Sequence, residues 1–374
     1  MRILLVRLRP IGDVVFTTPL IGALRRHYPD AYIAYVVEPT AAPILDRHPD
    51  LNELIVVPRG RGLSRVREDV TMARRLAGGR FDIAIDLHGG PRSAWFTWAS
   101  RAPTRIGYTI AGRTWMYTRA VPRARQLEPR HSVMNQWDLL VPLGIPAPDP
   151  ARDPVRMVTD VHADARVAER LARAGVGAEH TLVVIHVSAS NRFKRWPEAS
   201  FVSLVVALAR EDVSRRIVII SGPSDVDGAR RIAAEATRQL ADATSLPDVG
   251  PLDLGELRAL IARAAVYIGG DSGPLHVAAT TTVPVVELLG PTLAERSSPW
   301  RDPQWFTEIV DAGPLPCRPC RERTCAPGDF RCLTRIESGR VLAAATRALR
   351  ASAGRPGRQA PNDRNEHRIP VAQP

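Results

Sequence analysis

Short apolar runs alternate along the chain with segments whose apolar positions recur every three or four residues. The first run, residues 2–8, predicts a buried parallel strand, and the helical period from Val14 to His27 predicts a helix after a turn at 9–13. Further strand-like runs lie at 31–37, 53–57, 81–87, 181–187, 216–221, 264–268 and 283–288. This alternation predicts an α/β fold with parallel sheets and helices on both faces.

A proline-rich stretch divides the pattern into two series. Residues 142–160 carry five prolines and little periodicity, which is typical of a linker. We therefore expect two Rossmann-like domains, residues 1–150 and 161–345, that face each other across a cleft. Residues 353–374 lack apolar periodicity and are expected to form a disordered tail.

One Gly-rich turn organises the second series. Residues 268–279 read Ile-Gly-Gly-Asp-Ser-Gly-Pro-Leu-His-Val-Ala-Ala, with Ser272 at the expected N-cap and Pro274 at the expected first helical position. A helix start leaves backbone N–H groups unpaired at the positive end of its dipole, which suits a phosphate or diphosphate. An ordinary capped helix is the alternative, and His276 favours the diphosphate site.

Polar side chains follow the strands of the first series as well. Asp13 falls in the first turn of the expected helix, and His88 follows another strand end. Open α/β sheets place their ligands at this edge. A carboxylate in a first helical turn is often only a partner of the helix dipole, so Asp13 alone does not define a site.

Composition and charge narrow the class of protein. The 374 residues are 45% hydrophobic, which predicts globular domains. No apolar run is long enough to span a bilayer, and Arg7, Arg9 and Asp13 interrupt any signal-peptide core, so we expect a cytoplasmic protein. The formal charge of +12 indicates an anionic partner. No basic block is interleaved with aromatics, so no nucleic-acid partner is expected.

The basic residues are unevenly distributed. Residues 1–150 hold 21 Arg and 13 acidic residues, a charge of +8. Seven of these arginines lie in residues 101–130, which form either a solvated loop or a surface for an anionic acceptor. The helix opened by Arg92 carries Trp95, Phe96 and Trp98, which we assign to the core or to a membrane-facing surface rather than to a base-stacking platform.

The 51 basic residues include a single lysine, Lys194. A chain that otherwise uses arginine for positive charge indicates that the compact ammonium matters at this position.

The four cysteines, Cys317, Cys320, Cys325 and Cys332, lie within sixteen residues. In a reducing compartment such a quartet indicates a structural metal site, with zinc the first candidate. The spacing differs from paired zinc knuckles, so local disulfides and four free thiols remain alternatives. No constellation for a catalytic metal is present.

Several motifs occur in a fixed order over residues 1–345. They are Arg7-x4-Gly12-Asp13-Val14-Val15-x-Thr17-x-Pro19, Arg92-Ser93, Arg105-Ile106-Gly107, His186-x-Ser188-x-Ser190-x3-Lys194-Arg195-Trp196-Pro197, Asp271-Ser272-Gly273-Pro274-x-His276-x-Ala278 and Gly290-Pro291-Thr292. Together they resemble glycosyltransferase family 9, the lipopolysaccharide heptosyltransferases. The Cys-rich segment also resembles one found in some members.

The resemblance implies a GT-B fold and inverting transfer of a heptose from ADP-L-glycero-D-manno-heptose to the inner core of lipopolysaccharide. It also implies a lipid-anchored anionic glycan acceptor, peripheral contact with the inner membrane surface and no cofactor in catalysis. A family member that uses another nucleotide sugar, and a nucleotide-binding module without transfer activity, are the alternatives.

The resemblance also assigns roles to residues. Asp13 corresponds to the base, and Lys194 to a catalytic cation that also contacts the donor. The donor-binding positions are Ser188, Ser190, Lys194, Asp225 (ribose), Leu252 (adenine), Asp271, Ser272, Gly273, Pro274 and His276. The acceptor-binding positions are Arg7, Arg92 and Arg105. The chain departs from the family pattern at Ser188, where Gly is frequent, and Glu287 stands in a strand where an apolar residue is expected.

Overall fold

The alternating apolar runs form two parallel sheets with helices on both faces, which confirms the α/β class. The computed structural model describes residues 1–60, 62–123, 129–189, 191–240, 242–320, 322 and 324–353. Ala353 ends the last helix, and the rest of the predicted tail lies outside the described residues.

The first sheet has six parallel strands in the order β3-β2-β1-β4-β5-β6. Its strands are β1 (Arg2–Val6), β2 (Tyr32–Val37), β3 (Glu53–Val56), β4 (Ile83–Asp86), β5 (Thr104–Tyr108) and β6 (Arg119–Val121). Its helices are α1 (Ile11–Val15), α2 (Thr18–His27), α3 (Gly62–Gly78), α4 (Pro91–Ala99) and α5 (Ser132–Trp137).

The second sheet has five parallel strands in the order β11-β10-β9-β7-β8. Its strands are β7 (Thr181–His186), β8 (Arg215–Ile220), β9 (Val266–Gly270), β10 (Val285–Leu289) and β11 (Thr307–Asp311). Its helices are α6 (Val161–Arg173), α7 (Glu198–Glu211), α8 (Val226–Gln239), α9 (Leu254–Arg263), α10 (Gly273–Ala279), α11 (Ala294–Ser297), α12 (Arg331–Thr334) and α13 (Ser338–Ala353).

The apolar run of β1 is continuous because the strand is buried on both faces. Ile3 and Leu5 join the core that includes α2, whereas Leu4 and Val6 join the core under α3 and α4. Full burial of each such side chain contributes about 1.5–3 kcal/mol. The same two-sided burial explains why period-2 alternation is absent from this segment.

Several elements differ from the sequence prediction. The helix expected from 14 to 27 is two helices, because α1 ends at Val15 and a new helix starts at Thr18. Between β2 and β3 the chain forms only a 3-10 turn, Ala42–Ile44. Strands β5, β6 and β11 were not predicted, because polar and charged residues interrupt their apolar pattern.

The stretch predicted as a linker packs against both halves of the chain. Val155 and Met157 are buried in the core that the two sheets share. The Trp300 indole donates to the carbonyl oxygen of Asp153 at 2.8 Å, and the Arg156 backbone N–H donates to Thr18 Oγ1 at 2.8 Å. These contacts tie the connection to its surroundings, unlike a free linker.

The start of α1 packs directly against α10. A Cβ atom placed on Gly12 would lie 2.5 Å from His276 Cδ2, and one on Gly273 would lie 3.0 Å from Ile11 Cγ2. The Phe16 and His276 ring centroids are 4.3 Å apart. The carboxyl ends of β1 and β9, which these helices follow, therefore face each other.

Among the residues that the structure describes, no helix combines the length and apolar character needed to cross a membrane.

Candidate functional site

Asp13 lies in the first turn of α1, at the edge that faces the second sheet. Its Oδ2 atom is 2.5 Å from Arg7 Nη2, and its side chain is 35% exposed. Arg7 is buried and also donates through Nη1 to the carbonyl oxygen of Leu87. The guanidinium thus fixes the carboxylate while one side of Asp13 stays open.

The other two predicted acceptor residues are held inside the first domain. Arg92 lies between Glu38 and Asp69, at 3.2 and 2.5 Å. Arg105 donates to the carbonyl oxygens of Ala102 and Met116. Both guanidinium groups therefore hold parts of the first domain together. Their role in binding an acceptor stays a prediction.

A loop after β4 borders Asp13, and a buried carboxylate that sequence reasoning missed shapes this loop. Asp86 accepts from Tyr117 Oη at 2.6 Å and from the backbone N–H groups of His88 and Gly89 at 2.9 and 2.8 Å. Burial, together with the charge of Arg7, lowers the pKa of His88 to about 4. His88 is therefore neutral at pH 7. Asp86 is the last residue of β4, and this position at a strand end is the sequence signal that could have identified it.

At the carboxyl edge of the second sheet, Asp271 lies beside three polar side chains. Lys194 Nζ donates to Asp271 Oδ2 at 2.7 Å, and Thr292 Oγ1 donates to the same oxygen at 2.7 Å. His276 Nε2 lies 3.8 Å from Asp271 Oδ1. The structure thus joins three predicted residues with Thr292, which sequence reasoning had placed only in a motif.

The charges in this cluster are well defined. Burial opposes ionisation of Asp271, but the charge of Lys194 and the hydrogen bonds from Lys194 and Thr292 outweigh it and hold the pKa of Asp271 below its ordinary value. Burial lowers the pKa of His276, against the opposing charge of Asp271. At pH 7 His276 is neutral, so Lys194 supplies the positive charge beside Asp271.

The Gly-rich turn differs in detail from its prediction. Ser272 occupies the N-cap position, but its side chain makes no capping bond and donates instead to the carbonyl oxygen of Gly270 at 3.2 Å. Gly273 is the first helical residue, so Pro274 is the second. The Ser272 hydroxyl thus bonds locally to Gly270, and its oxygen does not cap the N–H groups at the start of α10.

A buried histidine connects the turn to the end of β7. His186 Nε2 lies 3.1 Å from Ser188 Oγ, and its Nδ1 lies 3.4 Å from Ser272 Oγ. Ser188 Oγ also accepts from the Gly222 N–H at 2.7 Å. Burial lowers the pKa of His186 to about 4, so this link is uncharged. The other predicted serine, Ser190, lies outside the described residues.

The residues predicted to contact the nucleoside lie in different surroundings. Asp225 Oδ1 is 2.5 Å from Arg195 Nη1, a contact that sequence reasoning missed. Asp225 Oδ2 is buried without a hydrogen-bond partner among the described residues. Leu252 is partly buried against the shared core. Asp225 thus keeps one acceptor atom for a further donor.

Glu287 is the unexpected group in the centre of β10. Its side chain is fully buried, and neither carboxyl oxygen has a hydrogen-bond partner in the described part of the chain. Burial, reinforced by the nearby charge of Asp271, raises its pKa far above the ordinary value. Glu287 is therefore protonated at pH 7, which leaves Asp271 as the charged carboxylate of this region.

The four cysteines line one pocket of about 390 Å³ together with Phe193 and Phe330. Burial and the other three thiols raise the pKa of Cys332. Among the described residues, no three His, Cys, Asp or Glu side chains are arranged to hold a metal ion. As placed, the thiols do not form a finished metal site, and the zinc prediction stays untested.

The Cys-rich segment is hydrogen-bonded to the loop that carries Thr292. The Cys320 N–H donates to the carbonyl oxygen of Pro291 at 3.0 Å, and Arg318 Nε donates to that of Thr292 at 3.0 Å. Since Thr292 donates to Asp271, this segment helps to fix the group of Lys194, Asp271, Thr292 and His276. We call this group the donor-side cluster, after the role that the resemblance implies for it.

Two Rossmann-like sheets whose carboxyl ends face each other define the GT-B architecture of glycosyltransferases. The chain belongs to glycosyltransferase family 9 (heptosyltransferase), whose family model matches residues 70–330. This confirms the family that the motifs indicated, and the chain is therefore a glycosyltransferase.

One sequence relative supports the family assignment, and two solved structures share the fold. A lipopolysaccharide heptosyltransferase 3 from Escherichia coli is 27% identical over 352 residues, covering 91% of this chain and 97% of the relative. A family 9 glycosyl transferase from Veillonella parvula DSM 2008 superposes with a TM-score of 0.80 at 24% identity, covering 93% and 97%. An Escherichia coli heptosyltransferase with ADP-2-deoxy-2-fluoro heptose superposes with a TM-score of 0.66 at 20% identity, covering 93% and 99%.

The neutral state of Glu287 predicts a pH-dependent stability. The folded protein keeps this proton at pH 7, whereas the unfolded chain releases it above the ordinary glutamate pKa of about 4.3. Stability should therefore fall as pH rises from 5 to 8, by up to about 1.4 kcal/mol per pH unit. Glu287→Gln cannot titrate, so its free energy of unfolding relative to wild type should increase with pH in denaturant titrations.

Glu169→Gln, at a side chain that is 68% exposed, is the matched control and should follow the wild-type pH curve. Parallel curves for Glu287→Gln and wild type would show that Glu287 is ionised in the folded state.

Proposed function

We propose that the protein is an inverting heptosyltransferase that moves a heptose from ADP-L-glycero-D-manno-heptose to the inner core of lipopolysaccharide. The observation that carries the proposal is the placement of Asp13 opposite the cluster of Lys194, Asp271 and His276. The heptosyltransferase relatives, and the solved relative with an ADP-heptose analogue, support the choice of sugar and nucleotide.

Asp13 acts as the base in this proposal. Inverting transfer requires a group that takes the proton from the acceptor hydroxyl while that oxygen attacks the anomeric carbon. The carbon–oxygen bond to the diphosphate breaks on the opposite face, and the electron pair leaves with ADP. Arg7 holds Asp13 in place, and the Asp13 side chain remains 35% exposed and so accessible to an acceptor hydroxyl.

The donor-side cluster stabilises the leaving diphosphate. Negative charge grows on this group in the transition state, and Lys194 is the cation next to the Gly-rich turn. Asp271 positions the ammonium, and neutral His276 contributes a hydrogen bond rather than a charge. The turn N–H groups of residues 272–273 and the hydroxyls of Ser188 and Ser190 complete the donors. Catalysis in this arrangement requires no metal ion.

In this proposal the nucleoside of the donor binds at the end of β8 and at the segment before α9. Asp225 Oδ2, buried without a partner in the described structure, suits a ribose hydroxyl donor, and Arg195 orients the carboxylate. Leu252 provides an apolar contact for adenine.

The acceptor in this proposal is a lipid-anchored anionic glycan on the cytoplasmic face of the inner membrane. The excess of arginine in residues 1–150 favours such a partner over a neutral one. No role is assigned to nucleic acid. Transfer from another nucleotide sugar, and nucleotide binding without transfer, are the competing functions.

We also propose a structural zinc ion at the four cysteines, which their shared pocket supports. Binding requires the thiols to move closer than they stand here. Metal analysis of the purified protein should find about one zinc per chain. Replacement of Cys320 and Cys325 by serine should remove the metal, and a metal-free wild type with four reactive thiols would contradict the proposal.

The role of Asp13 predicts a separation of binding from turnover. Asp13→Asn keeps the size and polarity of the side chain but cannot accept the proton, so the transfer rate should fall by about 100- to 10,000-fold. ADP-heptose affinity, measured by calorimetry, should stay within about twofold, since no donor contact is lost.

Asp46→Asn, at a carboxylate that is 64% exposed in the same domain, is the control and should retain wild-type turnover. Full activity of Asp13→Asn would remove the base from the mechanism. Donor binding without turnover in both variants and wild type would favour the binding-module alternative.

A further inference from the structure

The outward face of α3 is apolar, although a surface helix ordinarily carries polar residues there. α3 buries Met72 and Leu76 against the first sheet. On the opposite side of the helix, Leu63, Val66 and Val70 are 88%, 59% and 37% exposed. Their spacing of three and four residues places them together on one stripe.

Two exposed tryptophans lie on the elements that follow beside α3. Trp98 on α4 is 44% exposed, and Trp115 on the 3-10 turn after β5 is 63% exposed. Their rings meet edge to face with centroids 5.8 Å apart, and the Trp115 indole donates to the carbonyl oxygen of Gly112 at 3.1 Å. α4 lies beside α3, because Arg92 pairs with Asp69 at 2.5 Å. The α3–α4 surface comprises Leu63, Val66, Val70, Trp98 and Trp115.

Positive charge accompanies the apolar side chains. Arg67 and Arg74 are exposed on the same side of α3 as Val70, from which they are three and four residues away. In the described part of the chain neither arginine forms an ion pair, whereas Asp69 turns inward to Arg92. Aliphatic residues, tryptophan and arginine on one face are the composition of helices that lie at a membrane interface.

The positive charge of the α3–α4 surface favours anionic lipid over a second copy of the chain as its partner. A second copy of the chain would bring Arg67 and Arg74 against the same positive surface, and residues 1–150 carry a charge of +8. Anionic lipid headgroups complement these charges, because basic side chains are attracted to the negative potential of such a surface.

The α3–α4 surface is separate from the cleft. α3 and α4 cover the sheet face that receives Leu4 and Val6, whereas the opposite face, with Ile3 and Leu5, belongs to the core shared with the second sheet. A partner bound to the α3–α4 surface therefore does not disturb the contact between α1 and α10 at the cleft.

We propose that the α3–α4 surface docks the protein on an anionic phospholipid bilayer. Docking places the first domain, which carries Asp13, against the surface in which a lipid-anchored acceptor is embedded. The delivery of acceptor rests on the proposed function, whereas docking itself does not.

Vesicle sedimentation tests the docking. Wild-type protein should bind vesicles of equal parts phosphatidylcholine and phosphatidylglycerol, bind poorly to phosphatidylcholine alone, and dissociate as salt rises. The double variants Trp98→Ser/Trp115→Ser and Arg67→Gln/Arg74→Gln should each lower binding by about tenfold or more. Val213→Ser and Arg230→Gln, at positions that are 81% and 77% exposed in the second domain, should bind as wild type does.

Unchanged binding of both double variants would overturn the proposal. A wild-type dimer that the tryptophan variant dissociates in size-exclusion chromatography would also overturn it and assign the surface to a second copy. Transfer to an acyl-free, water-soluble acceptor should be the same in wild type and both double variants. Vesicle binding by a wild type that transfers nothing to this acceptor would contradict the proposed function and still support docking.

Discussion

The close approach of Gly12 to His276 is the constraint on which the geometry of the site depends. A methyl group at residue 12 would lie 2.5 Å from the His276 ring, so only glycine lets α1 reach α10 this closely. The Phe16 ring packs against the same His276 ring at an interplanar angle of 51°. The approach places Asp13, one residue further along, opposite the donor-side cluster. Two distant strand ends thereby form one candidate site.

Charge balance is the second element of the site. Asp271 keeps its charge in a buried position because Lys194 and Thr292 donate to one of its oxygens. Glu287, in the neighbouring strand, is buried without such partners among the residues that the structure describes, and it stays protonated. The positive charge of Lys194 is therefore offset by one carboxylate rather than two. Its attraction for a diphosphate is correspondingly stronger. This distribution of charge is consistent with transfer that requires no metal.

The sequence predicted the elements whose residues are uniformly apolar and the motifs that stand at their ends. Lys194 could be singled out because it is the chain's one lysine. The last two strands of the first sheet, β5 and β6, were missed, since Arg105 and Arg119 interrupt their apolar pattern. The pairing of Lys194 with Asp271 and the protonation of Glu287 depend on burial and on contacts between distant residues, which periodicity does not report.

The most direct test of the account is a transfer assay with a panel of ADP-, UDP- and GDP-sugars, run with and without EDTA added at the start of the reaction. If the protein transfers heptose from ADP-heptose without a metal ion, ADP-heptose should be turned over, the other donors should not, and the chelator should leave the rate unchanged. Preference for another nucleotide sugar, or loss of transfer in EDTA that added divalent metal restores, would contradict it.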